Sequence, residues 1–137
     1  MSPCTRITAA LLALTLGASG CGGGGEQEAI GEDSLRNCLA DAGLKQQAEG
    51  ATPNAPLFNL PTDFRLRVPD GGSAGFVVEG SEEKVRRRAA DIRAALRTFG
   101  VADPDQRLVA RRNVIAVFDR VPSAETRRTV ESCMGES

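Results

Sequence analysis

Between residues 82 and 99 apolar side chains return every three or four positions, so that Val85, Ala89, Ile92, Leu96 and Phe99 share one side of a helix. Ser81 is placed to cap that helix, Glu82 and Glu83 stand four residues before Arg86 and Arg87 in the favourable order, and Gly100 ends it. A shorter helical stripe runs through Leu35, Cys38, Leu39 and Ala42, starting at Asp33 or Ser34 and stopping at Gly43. A third helix follows Ser123, with Val130 and Cys133 facing inward. The pattern changes to period two at Phe64, Leu66 and Val68, which alternate with Arg65 and Arg67 as in a half-buried strand. Pro69-Asp70-Gly71-Gly72 is a turn signal, and a strand over 75–79 pairs back as a hairpin with a wide loop. A second strand pair covers 107–110 and 114–118, with Arg111, Arg112 and Asn113 at its turn. Residues 114–118 are apolar at every position, which predicts a central strand.

The order is α, ββ, α, ββ, α. It predicts an α+β domain with a small antiparallel sheet of about four strands and helices packed on one face, a ferredoxin-like arrangement being one candidate. Residues 45–63 lose all periodicity and carry Pro53, Pro56 and Pro61, so they read as a long irregular connection whose role the sequence leaves open; Leu57, Phe58 and Leu60 suggest that part of it packs down.

The first twenty residues follow a different logic. A weakly basic start with Arg6 leads into an apolar run, Ile7 to Leu16, then small residues, Ala18-Ser19-Gly20, and Cys21. This junction resembles the lipobox of bacterial lipoproteins. The resemblance implies cleavage between Gly20 and Cys21, a diacylglyceryl group on the Cys21 thiol with palmitate-type acyl chains, and a protein held at the extracytoplasmic face of the cell membrane. Two or three acyl chains anchor stably where one gives only marginal binding. The competing readings are a plain secretory signal cut elsewhere and an uncleaved membrane helix, for which the apolar run is short against the roughly 20 residues a span needs. Residues 21–32, with four glycines after Cys21 and then Glu26, Glu28 and Glu32, read as a lipidated cysteine on a flexible tether of roughly 18 Å average reach. The folded domain is expected over 33–137.

Composition narrows the chemistry. Only Arg6 leaves with the signal, so the mature chain keeps sixteen Lys and Arg against eighteen Asp and Glu, a net charge of −2 without the basic footprint that nucleic-acid binding needs. The chain has no histidine, so Ser–His and Cys–His nucleophiles are excluded, and no glycine-rich loop stands between a strand and a helix to cradle a phosphate. No cofactor and no metal site are expected. Of the carboxylates, Asp63, Asp70, Glu79, Asp91 and Asp119 could supply a glycosidase-like pair, although a solvated surface accounts for them more simply. Tyr and Trp are absent, which disfavours carbohydrate stacking.

Four cysteines sort by position. Cys4 leaves with the signal, Cys21 takes the lipid, and Cys38 with Cys133 form an even pair in an exported domain, where a disulfide is expected; buried free thiols and a redox or metal site are the rivals. Arg86, Arg93 and Arg97 fall along one strip beside the apolar stripe of the long helix, with Arg88 flanking its other side. The strip suits contact with anionic headgroups or an envelope polymer, against the simpler alternative of a solvated face paired with Glu82, Glu83 and Asp91. The expectation is a non-catalytic binding or envelope-interaction module on a lipid anchor. Its partners would be the membrane through Cys21 and an envelope protein or anionic polymer, with no nucleic acid. An obligate accessory subunit of a larger envelope assembly is the alternative, and a small hydrolase the least favoured.

Overall fold

The computed structural model describes residues 28–47 and 60–135. The elements run α1 (Glu32–Asp41), β1 (Lys45–Gln46), β2 (Phe64–Arg67), β3 (Ser73–Val78), α2 (Glu82–Thr98), a 3-10 turn (Pro104–Arg107), β4 (Leu108–Arg111), β5 (Val114–Phe118) and α3 (Ala124–Met134). Five strands form one antiparallel sheet in the order β1-β2-β3-β5-β4. The α+β class is as expected, with two differences in the sheet. A fifth strand, β1, lies inside the segment expected to be irregular, where Lys45 and Gln46 pair with Arg67 and Leu66. The strand order, three neighbouring strands before the long helix and two after it, departs from the βαββαβ order of a ferredoxin-like domain.

The helices lie on both faces of the sheet, not on one. Leu35 and Leu39 of α1 and Val130, Cys133 and Met134 of α3 pack with Phe64, Leu66, Phe76, Val114, Ala116 and Phe118 on the first face. Val85, Ala89, Ile92 and Leu96 of α2 pack with Val77, Leu108, Ile115 and Val117 on the second. The cause is β5: every one of its five residues is buried, so each face needs its own cover. On the first face Phe64 and Phe76, directly paired across β2 and β3, stack with ring centroids 5.0 Å apart, and the Arg36 guanidinium sits 4.1 Å above the Phe64 ring.

Cys38 and Cys133 are joined in a disulfide with Cα atoms 5.7 Å apart, linking α1 to α3. Cys38 itself stays exposed rather than on the buried stripe, which is Leu35 and Leu39. Helix α1 begins before the expected start: Gly31, not Asp33 or Ser34, is its N-cap, without a side-chain bond, and Glu32 and Asp33 occupy the first turn, where carboxylates complement the positive end of the helix dipole. Ser81 and Ser123 cap α2 and α3 through their hydroxyls, which accept from Lys84 N–H and Thr126 N–H. Gly43 and Gly100 close α1 and α2 at φ of 96° and 70°, and in both the next residue donates back to the carbonyl five positions earlier, Leu44 to Leu39 and Val101 to Leu96. Phe99, expected on the buried stripe, lies past the last turn of α2 and is 56% exposed.

Candidate functional site

Asn113 is buried, although turn residues of its type usually face water. Its side-chain Oδ1 accepts from Ile30 N–H at 2.8 Å and its Nδ2 donates to the carbonyls of Ile30, at 2.9 Å, and Glu79, at 3.1 Å. The carboxamide therefore copies one rung of a strand pair and clips the backbone of Ile30 to the β4–β5 turn. Arg112, in the left-handed region at φ 52°, donates through Nη2 to the carbonyl of Glu28. Residues 28–31, assigned from sequence to the tether, are thus part of the fold, with Ile30 half-buried against the first core. The rest of the expected tether, the lipobox and Cys21 lie outside the described residues.

Beside this clip is an open cleft of about 850 Å³ lined by Glu28, Ala29, residues 80–83, Arg86, Arg87, Arg112 and Asn113. Three separate segments, 28–29, 80–87 and 112–113, meet there because β3 ends, α2 begins and β4 turns into β5 at the same end of the sheet, where Glu79 N–H donates to Asn113 O at 2.7 Å. Three arginines and three glutamates share the walls. Glu83 and Arg87 pair at 3.4 Å, whereas Glu82 and Arg86, equally spaced in sequence, make no ion pair among the described residues. Of the five N–H donors of Arg112, the bond to Glu28 O engages one.

The arginine strip is divided by the structure. Arg93 and Arg97 each approach Asp105 of the 3-10 turn at 3.3 Å, and neither lines the cleft. Arg86 does. Eleven residues of helix put Arg97 about 16 Å further along the axis, toward the opposite end of the sheet. Arg88 is half-buried on α2 and also outside the cleft.

None of the five carboxylates named from sequence lines the cleft. Asp63 Oδ2 accepts from Val78 N–H at 2.7 Å, extending the β2–β3 ladder, and Asp70 Oδ2 accepts from Ser123 N–H at 2.9 Å at the start of α3. Burial opposes ionisation of Asp70, yet the hydrogen bonds from Ser123 and Thr126 outweigh it and hold the carboxyl below its ordinary value. Asp119 is buried near the Arg120 guanidinium at 3.9 Å, Glu79 contributes its backbone to the Asn113 clip, and Asp91 is exposed on α2. Among the described residues no three His, Cys, Asp or Glu side chains group as metal ligands, and no helix is long and apolar enough to cross a membrane.

The cleft was not foreseen from sequence. Of its residues the sequence singles out Arg86 for anionic contact, but it also reads Glu82 and Arg86 as a pair that the structure does not form; Asn113 looks like an ordinary turn residue. No family model, curated protein or solved structure matches the chain.

Proposed function

We propose that this protein is a bacterial lipoprotein, held at the extracytoplasmic face of the cell membrane by an acylated Cys21, and that its domain is a non-catalytic binding module working at the membrane surface. The order of residues around Cys21 supports the anchor. The observation that carries the module is the clip: Asn113 and Arg112 fix the backbone of Glu28 and Ile30 at the rim of the cleft. Six residues separate Cys21 from Glu28, and covalent geometry limits the seven Cα–Cα steps between them to about 25 Å. Whatever the anchor's exact depth, the clipped end of the domain stays within that distance of the lipid, and the cleft stays with it.

Anionic contact is accordingly assigned to Arg86 and Arg112 at the clipped end, while Arg93 and Arg97 share the single carboxylate of Asp105 away from it. The test of the anchor is Cys21→Ser expressed in a bacterial host. The expected outcome is an unlipidated product by intact mass that leaves the membrane fraction; a mutant still membrane-bound at the native mass overturns the proposal.

A further inference from the structure

The walls of the cleft carry both signs of charge, and only part of each is spent on the other. Arg87 and Glu83 form a pair, but among the described residues Arg86 and Glu82 do not, the Glu28 carboxylate has no ion-pair partner, and the Arg112 guanidinium makes one hydrogen bond, from Nη2 to Glu28 O. An arginine cluster alone would select an anion, and a carboxylate cluster a cation. A balanced set within one concave site is complementary to a ligand that carries both charges a few bonds apart. Guanidinium groups match the paired oxygens of a phosphate, and carboxylates accept hydrogen bonds from a primary ammonium.

From this juxtaposition we infer that the cleft binds a phosphate ester bearing a primary ammonium, and that the source is the ethanolamine headgroup of a membrane phospholipid. Arg86 and Arg112 hold the phosphate oxygens; Glu82 and Glu28 accept from the ammonium. The membrane as source rests on the lipid anchor proposed above, since the clip at Glu28 keeps the cleft within reach of headgroups. The chemistry of the cleft does not depend on it. The same pairing explains a preference among lipids: a choline headgroup has equal charge but no N–H to donate, and a glycerol headgroup has no cation.

The test uses the full chain purified from membranes in a neutral detergent, followed by the backbone amide signals of residues 80–87 and 112–113. Glycerophosphoethanolamine, glycerophosphocholine and glycerophosphoglycerol are added separately at equal concentrations. The first is expected to shift these signals with an affinity about tenfold above the other two, and Arg86→Gln and Glu82→Gln each to lower it about tenfold, as for loss of one charge-assisted hydrogen bond. Both side chains are exposed, so both variants keep the wild-type spectrum elsewhere. Equal affinity for the three compounds, no shift with any of them, or wild-type affinity in both variants overturns the inference.

A second arm separates the sources. In nanodiscs of phosphatidylcholine, adding phosphatidylethanolamine is expected to raise hydrogen-exchange protection over 80–87 in the wild type and not in Arg86→Gln. Protection unaffected by phosphatidylethanolamine, with soluble glycerophosphoethanolamine still bound, overturns the headgroup as source and leaves a free zwitterion. An unacylated Cys21 by mass, with that compound still bound, overturns the lipoprotein proposal and not the cleft chemistry.

Discussion

The two faces of the sheet are closed by different means. On the second face α2 follows β3 directly and leads back through a short turn to β4, so the helix and the strands it covers are neighbours in sequence. On the first face α1 comes before every strand and α3 after every strand, and the two meet only when the whole chain has closed. Their disulfide spans a separation of 95 residues. Closing a long loop costs entropy before any contact repays it, whereas a local helix meets its strands at little cost. The second face also stops short: α2 covers β3, β5 and β4, while Arg65 of β2 lies beyond it and bonds back to Thr62 and Leu60. The cover made by distant elements carries the crosslink, and the cover made by a local element carries the cleft.

If that contrast is sound, the disulfide matters most, and to one face. Reduction, or Cys38→Ser with Cys133→Ser, is expected to lower stability by about 2–5 kcal/mol, with the chain-entropy model giving about 4.7 for a loop near 100 residues. Hydrogen exchange should then show protection falling first in α1 and α3, with α2 retaining more of it. Equal loss in all three helices would mean that the faces unfold as one unit and break the comparison. The reciprocal test is Leu96→Ala, which empties a side chain buried at the last turn of α2. Its cost should be about 3 kcal/mol by urea denaturation, with the early loss of protection now in α2 and β4.

Much of this was legible in the sequence where a pattern repeats long enough to be read. The stripe of α2, the alternation of β2 and the unbroken run of β5 each place an element, and the even pair of cysteines predicts the crosslink. The helix arrangement was misread for a physical reason. Ile115 and Val117 point to one face and Val114, Ala116 and Phe118 to the other, so β5 already required cover on both, but element order by itself says nothing about which face a helix takes. Strand β1 has two residues, too few to show any period. The cleft was out of reach because its walls come from three segments that only the fold brings together. Asn113 was hidden by its own chemistry: the carboxamide that suits a turn also suits a buried clip.

That clip supports a third test of the contrast, of intermediate size. Asn113→Ala removes three hydrogen bonds and leaves Ile30 N–H, Ile30 O and Glu79 O to find water. Glu79 and Ile30 are only half-buried, so part of the loss is recovered by solvent, and about 1–3 kcal/mol is expected. The decisive readout is local: the Ile30 amide should exchange at the rate of an open chain while Val117, in the centre of the sheet, stays protected. If Ile30 remains protected in the variant, the backbone of 28–31 is held by packing against the first core and the clip is incidental.

The smallest expected effect lies at the opposite end of the sheet, at Asp70. Its carboxylate accepts from Ser123 N–H at the start of α3 and its pKa is lowered in the folded protein, so the ionised form is the one the fold favours. An unfolded chain binds that proton more readily, near pH 4, and the stabilisation is therefore complete above about pH 4 and is lost as pH falls through the lower folded value. Because Asp70 is exposed, solvent screens the interaction, and a few tenths of a kcal/mol is the expected scale for a carboxylate at a helix start. Asp70→Asn keeps the shape and removes the charge. Urea denaturation at neutral pH should show the variant slightly less stable, with the gap closing as pH is lowered past 4, and salt should narrow the gap at neutral pH. A gap that persists at pH 3 would assign the effect to hydrogen-bond geometry rather than charge.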